Sequence, residues 1–380
     1  MASTDPVPDL EPLPSFEEAR PEWDALAEAA ANPFGTFAFS AAWWAVYGRG
    51  RELALARVRA PDGRTAAILP LYRADRGPVR LLRFLGHGAA DEAGPLCAPA
   101  DRPLAVAALR RVGAGLGPRG LLLAERLAGD AGIAEGLGGH VVRREASPVL
   151  AIEGGWEEWL AGKSSNYRGQ VRRMERRLAR DHDLRFRLTE DPASLAADLE
   201  TLFRLHDLRW EQAGGTAAFD EDRRAFHRDF AARALEQGWL RLWIAEVDGE
   251  PAAAWYGLRH AGRDWYYQLG RDPRWDAYKL GFVLLVHTIR DAFAAGVASY
   301  HFGLGDEEYK GRFATHDPTL LTVTAGGSRA AKLAAAAIRA GRRLPAGPRR
   351  LLADVSSRSA SPRRGRRPAG TGPSRRPRAG

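Results

Sequence analysis

The spacing of apolar residues divides the chain into two stretches of mixed structure and a polar end. Residues 1–15 read as a flexible leader. From Phe16 to Ala31 apolar positions recur at helical spacing until Asn32-Pro33 ends the pattern. Phe34, Phe37, Phe39, Trp43, Trp44 and Tyr47 follow as an aromatic cluster that packs a helix onto a core. Two β-rich runs, Glu52–Ala60 and Thr65–Tyr72, meet at Asp62-Gly63, a hairpin signal. Further strands are expected at 79–85, 121–123 and 141–142, with a helix over 103–116. The second stretch repeats the device. Leu240–Val247, Asp248-Gly249 and Ala252–Arg259 form a hairpin, and Trp265–Leu269 adds a strand after Ala261-Gly262. A helix over 278–295 and strands at 297–302 and 320–324 complete an α+β order. The two Asp-Gly hairpins lie in comparable places in the two halves and hint at a duplication. The division expected is a lobe over 16–150, a second over 151–328, an Ala-rich helix over 329–340, and a disordered tail over 341–380.

Charge changes the picture mainly by its location. The chain has 56 Lys+Arg, 47 Asp+Glu and a formal charge of +9 over 380 residues. Residues 341–380 hold twelve Arg and a single acid, Asp354, for +11, which leaves −2 for residues 1–340. The basic character belongs to a tail of Pro, Gly, Ser and Arg that cannot form a core. It offers contact with an anionic membrane or nucleic acid, while the body is near neutral. Cys97, the single cysteine, reads as a small buried thiol, so a disulfide framework and a Cys-rich zinc site are excluded. No HExxH-like spacing links the nine His residues, and no metal site is expected. The acidic, Pro-rich start is not a signal peptide, and no apolar run reaches spanning length, so a soluble cytoplasmic protein is expected.

Several motif matches fail on spacing. Gly162-Lys163-Ser164 has the ending of a P-loop, but position 157, where that motif needs Gly, is Glu. Gly113-Ala114-Gly115 and Gly303-Leu304-Gly305 lack the third Gly of a dinucleotide fingerprint. No GxSxG elbow is present.

Two segments are more informative. Over Ser164–Arg180, Val171, Met174 and Leu178 share one helical face, opposite Arg168, Arg172, Arg173, Arg176, Arg177 and Arg180. Such a face is either solvated or an anion contact. Arg168, at the helix start, is the best single anion candidate, because a guanidinium fork and a helix N-terminus attract the same ligand. In the second segment, the strand Tyr266-Tyr267-Gln268-Leu269-Gly270 leads through Asp272-Pro273 to Tyr278-Lys279-Leu280-Gly281-Phe282, which opens a helix able to present backbone N–H groups to a pyrophosphate. After the next strand, His301-Phe302-Gly303-Leu304-Gly305 runs into Asp306, Glu307, Glu308, Tyr309 and Lys310, a gathering of reactive groups at a strand end.

These residues resemble those of the CelD-type acetyltransferases of the Gcn5-related N-acetyltransferase (GNAT) superfamily, which are related to the FemABX peptidyltransferases. The resemblance runs from about Phe16 to Thr324. It is carried by Asn32-Pro33-Phe34 with Ser40 and Trp43, Leu69-Pro70-Leu71, and Phe84-Leu85-Gly86 with Asp91 and Gly94-Pro95-Leu96. Ser165-Asn166-Tyr167-Arg168, Leu205-His206-Asp207-Leu208-Arg209-Trp210, Tyr266-Tyr267, Leu280-Gly281 and the Phe302–Gly305 run with Tyr309-Lys310 continue it.

The resemblance implies tandem acetyltransferase-like lobes, each a mixed, mostly antiparallel sheet flanked by helices, with acetyl-CoA or another acyl-CoA held in the second. The family's Arg/Gln-x-x-Gly-x-Gly/Ala signature is reduced here to Gly281, with Phe282 after it and Ala277 before. The donor would lie along Tyr267, Gln268, Lys279, Leu280, Gly281 and Phe282. Arg168, Trp210, Tyr266 and Asp91 would face the acceptor, a small molecule or saccharide. Tyr309 would protonate the leaving thiolate, Lys310 would stabilise anionic charge or bind the acceptor, and Asp306, Glu308 or His206 would serve as base. The activity implied is N- or O-acyl transfer to a sugar, amino sugar or cell-envelope precursor. The alternatives are a FemABX-like transferase using aminoacyl-tRNA, and a non-catalytic scaffold tethered by its basic tail.

Overall fold

The computed structural model describes residues 9–76, 79–212 and 219–326. The Ala-rich helix and Arg-rich tail expected beyond 328 lie outside them. In the first half, strand β1 (Asp9–Leu13) precedes helices α1 (Arg20–Ala30) and α2 (Phe37–Tyr47). Then come β2 (Glu52–Leu53), β3 (Leu55–Arg59), β4 (Thr65–Leu69), β5 (Leu71–Arg76), β6 (Val79–Phe84) and β7 (Leu96–Cys97). Helix α3 (Arg102–Gly115), β8 (Gly120–Ala128), α4 (Ile133–Gly136) and β9 (His140–Glu145) follow. The second half begins with β10 (Val149–Ala151), α5 (Trp156–Ala161), α6 (Ser165–Asp181), β11 (Leu184–Leu188), α7 (Pro192–Gln212) and α8 (Glu221–Glu236). It continues through β12 (Leu240–Val247), β13 (Glu250–His260), β14 (Arg263–Arg271), α9 (Leu280–Ala294), β15 (Ser299–His301), α10 (Glu308–Phe313) and β16 (Leu320–Ala325).

Asp9–Leu13 corrects the reading of a flexible leader, because β1 pairs antiparallel with β3. Pro12 is tolerated there because β1 is an edge strand, where a missing N–H costs no ladder bond. Pro70 separates β4 from β5, so one run of chain passes from a four-stranded sheet, β1-β3-β4-β7, to a six-stranded one, β2-β5-β6-β8-β16-β9. The third sheet is β10-β15-β14-β13-β12-β11.

The two halves follow one path. In each, an antiparallel hairpin is joined by a third antiparallel strand, a helix crosses over, and the next strand returns parallel to the third. The first half does this with β5, β6, α3 and β8, the second with β13, β14, α9 and β15. Both Asp-Gly signals sit at hairpin tips. At the second, Asp248 and Gly249 take φ of 54° and 83°, the pair of positive values that a two-residue turn matched to strand twist requires. Past this common path one strand crosses from the second half into the sheet of the first. β10 follows β9 in the chain but pairs with β15, whereas β16 enters the other sheet between β8 and β9. Leu320–Ala325, expected in the second lobe by its place in the sequence, therefore completes the sheet of the first.

A continuous apolar cluster joins the halves. α2 is apolar apart from Ser40, and all of it but Ala45 is buried or half-buried. Its Phe39 ring meets Phe226 and Phe230 of α8 at 5.2 and 5.0 Å between centroids. Phe34 meets Trp265 and Tyr267 of β14 at 5.5 and 5.8 Å. Packing from both sides thus fixes the strand that carries the site. Among the described residues, no helix is long and apolar enough to cross a membrane.

Candidate active site

The site begins where two parallel strands stop pairing. β14 and β15 are in register only over Arg263–Trp265 and Ser299–His301. Beyond His301 the chain leaves the sheet, while β14 runs on to Arg271. Opposite β13, Gly257 pairs with Tyr266 and Tyr256 with Gln268, so Tyr267 is bulged out of the ladder. Past Trp265, β14 has no strand beside it on the side that β15 leaves.

A cleft of about 370 Å³ fills this divergence, lined by residues of β14, α7, α10 and the start of α9. Lys279 holds the left-handed conformation (φ 58°) and turns the chain into α9, which has no side-chain cap. The first N–H groups of such a helix have no acceptor within it. A Cβ at Gly281 would lie 3.1 Å from Arg271 Cδ and 3.4 Å from Leu269 Cδ2, so glycine keeps this wall open. Arg271 pairs with Asp276. Burial, with the neighbouring Arg209 guanidinium second to it, pushes its pKa down.

Arg209 of α7 donates to Leu269 O at 2.9 Å. Its charge also acts on the Tyr266 phenol, which in turn adjoins that of Tyr309. Burial raises both phenols, and the adjacent Tyr266 and Glu307 raise Tyr309 further, so it keeps its proton across the ordinary pH range.

Arg209, Tyr266 and Tyr309 also form a wall of a second, smaller pocket of about 100 Å³. Its far side is Asp91 from the first half, with Gln268, Glu307 and Lys310. Lys310 is only 3% exposed, and its Nζ donates to Leu304 O at 2.6 Å and lies 2.9 Å from Glu307 Oε2. Gly303 (φ 67°) permits the close approach of the halves here. A Cβ on it would stand 2.9 Å from Tyr266 O and 3.0 Å from Asp91 Oδ2.

The structure brings most of the expected residues together. Lys279, Leu280, Gly281 and Phe282 line the larger cleft, Tyr266 and Tyr309 line both, and Asp91, Tyr267, Gln268 and Lys310 line the smaller. Tyr267 is mainly structural, its hydroxyl donating to Ala89 O at 2.8 Å. His206 stands behind the pocket with Nε2 3.2 Å from Gln268 Oε1. Asp306 and Glu308 are exposed and line neither cavity. Arg168 is apart from the site, its Nη1 donating to Ala161 O and Lys163 O at 3.0 and 2.6 Å. Trp210 lies on α7, with its side chain outside the described residues. Sequence reading missed Arg209, Arg271, Asp276 and Glu307 as site residues; Arg209 and Glu307 stood within quoted motifs, but nothing marked which members face a cavity. Among the described residues, no group of three or more His, Cys, Asp or Glu could hold a metal ion.

Residues 165–311 match the family described as acetyltransferase (GNAT) domain. No curated protein sequence matches the chain. Among solved structures, FemX covers 84% of this chain and 96% of its own at 11% identity, with a TM-score of 0.58. The C-terminal domain of a putative lysylphosphatidylglycerol synthetase from Agrobacterium fabrum covers 87% and 99% at 13% identity, TM-score 0.56. The L-PGS structure from Bacillus licheniformis covers 87% and 98% at 12% identity, TM-score 0.51. At these identities the likeness is one of fold.

Proposed function

We propose that this chain, whose residues 165–311 carry a GNAT-type acyltransferase domain, transfers an acyl group from an acyl-CoA in the larger cleft to an amine or hydroxyl in the smaller pocket. The observation that carries this reading is that the two cavities meet at one wall, Tyr266, Tyr309 and Arg209. A thioester bound there would stand between donor and acceptor. Arg271, Lys279 and the N-terminus of α9 suit the pyrophosphate, and the open edge of β14 suits the amides of the pantetheine arm. The cleft volume is in the range of small-molecule sites.

In the direct reaction the acceptor's lone pair attacks the thioester carbonyl, the C–S bond breaks, and the acceptor's proton must leave. Glu307, inside the pocket and beside Lys310, is placed to take that proton, with Asp91 opposite it. Tyr309 supplies an O–H to the departing sulfur. Its raised pKa guarantees the proton but opposes full transfer to a thiolate of ordinary basicity, near 8.5, so its first contribution is hydrogen bonding to the developing charge. The acceptor class, a sugar, amino sugar or envelope precursor, rests on the resemblance of the sequence.

Calorimetric titration of the full chain with coenzyme A tests the donor. Binding is expected, and absence of binding with saturable binding of tRNA would replace this reading with aminoacyl transfer. Tyr309→Phe should keep coenzyme A affinity within about twofold and slow thiol release by roughly 10²-fold or more, in line with loss of one positioned donor. Unchanged turnover would end the role of Tyr309.

A further inference from the structure

Gly162-Lys163-Ser164, set aside in the sequence for want of a P-loop glycine, has a place in the structure that acyl transfer does not use. α5 ends at Ala161, and Ser164 caps α6 by accepting from Tyr167 N–H at 3.3 Å. Arg168 N–H bonds to Ser164 O at 3.0 Å. The N–H groups of Ser165 and Asn166, the first two of a 17-residue helix, therefore have no acceptor within it. Against this end opens a cavity of about 340 Å³, lined by Lys163, Ser164, Asn166, Tyr167, Gln170 and Arg312.

The lining is rich in donors. The Lys163 ammonium lies over the Trp159 ring, 4.4 Å from its centroid, and its pKa is lowered by burial, with no carboxylate among the described residues acting on it. Arg312 enters from α10 and holds Glu308 as its ion-pair partner. Tyr167 is 8% exposed and lines the cavity, yet its buried hydroxyl has no hydrogen-bond partner. A buried O–H left unbonded costs free energy that a bound acceptor would recover. The Arg312 charge acts on that same phenol, which places the two in one electrostatic neighbourhood. α10 separates this cavity from the acyl-transfer site: Tyr309 and Lys310 line the acceptor pocket, Arg312 lines this one.

We propose that this cavity is a phosphate-binding site, taking a phosphoryl group on the N-terminus of α6 between Lys163 and Arg312. Donors converge from a helix end, a loop lysine, a helix arginine and a phenol. That arrangement suits a tetrahedral anion with several acceptor oxygens better than a planar carboxylate. Arg168, the anion candidate by sequence, acts instead as a brace, tying Ala161 O and Lys163 O to α6 and so fixing the loop that carries Lys163.

The full chain is titrated calorimetrically with inorganic phosphate and with glycerol phosphate. Lys163→Met combined with Arg312→Gln should weaken phosphate binding by about tenfold or more, Lys163→Arg should restore much of it, and Tyr167→Phe should weaken it severalfold. Arg271→Gln, which alters the donor cleft, should retain the component that the double variant loses. Binding of the monoester as tight as that of inorganic phosphate identifies a phosphoryl group carried on a larger molecule; binding of inorganic phosphate alone identifies the free ion. A double variant that melts like the parent and titrates like it overturns the proposal, as does loss of all phosphate binding in Arg271→Gln.

Discussion

Glu125 shows at the scale of one residue what fills the place in the first half where the second half opens its larger cleft. It lies on β8, the parallel partner of β6, where the second half opens its cavity. Arg83 donates Nε and Nη2 to its carboxylate at 3.0 Å each, and His87 Nδ1 lies 2.8 Å away. What remains beside this cluster is a space of about 20 Å³, room for little more than a water. Burial alone would raise the Glu125 carboxyl, but His87 and Arg83 outweigh it and hold the pKa at about 2. Glu125→Gln would leave Arg83, itself 3% exposed, without its counter-charge, at an expected cost of about 3–5 kcal/mol in denaturant unfolding at pH 7. Because the folded-state pKa is depressed, this contribution is complete above about pH 4.5 and is lost as pH falls toward 2. Parent and variant should therefore converge in acid; a gap independent of pH would show that the charge is not the cause.

At the scale of elements, α10 is six residues long, far too short to be helical on its own. It is held by Phe313, fully buried against Trp159, Tyr167, Phe282 and Phe302 at centroid distances of 5.7 to 6.0 Å. Phe313→Ala should cost about 3–5 kcal/mol, and it should also lower kcat, since Tyr309 and Lys310 ride on the same turn. A stability loss with kcat unchanged would show that α10 is fixed by other contacts. The elements around the site were largely legible in the chain. α9 followed from apolar spacing, the hairpins from Asp-Gly, and α6 from Val171, Met174 and Leu178, of which Val171 and Leu178 are buried. The cavity walls were not legible, because Asp91 and Gly303 meet across more than two hundred residues of chain and no local pattern encodes that approach. The left-handed turn at Lys279 was equally hidden, since nothing in a lysine announces positive φ. For Arg168 the residue type was read correctly as a strong donor, but its partners proved to be carbonyls of its own loop.

At the scale of the whole molecule, the crossing of β16 decides how separable the halves are. A chain stopped at Thr319 lacks β16, which leaves β8 and β9 without the partner that joins them. Loss of cooperative melting in both halves is expected, together with association through the exposed edges. A second half that melts as in the full chain would instead mean that the halves fold independently. That crossing also orders events during synthesis. β9 ends at Glu145, and β16 begins at Leu320. At about 5–20 residues per second, the ribosome adds the intervening stretch in roughly 10–35 s. For that interval the first half waits with a gap in its sheet, while β10, already made, waits for β15 to reach it. The second half thus supplies the last strand of the first, and the nascent chain reaches its finished form only when nearly all of its described length has emerged.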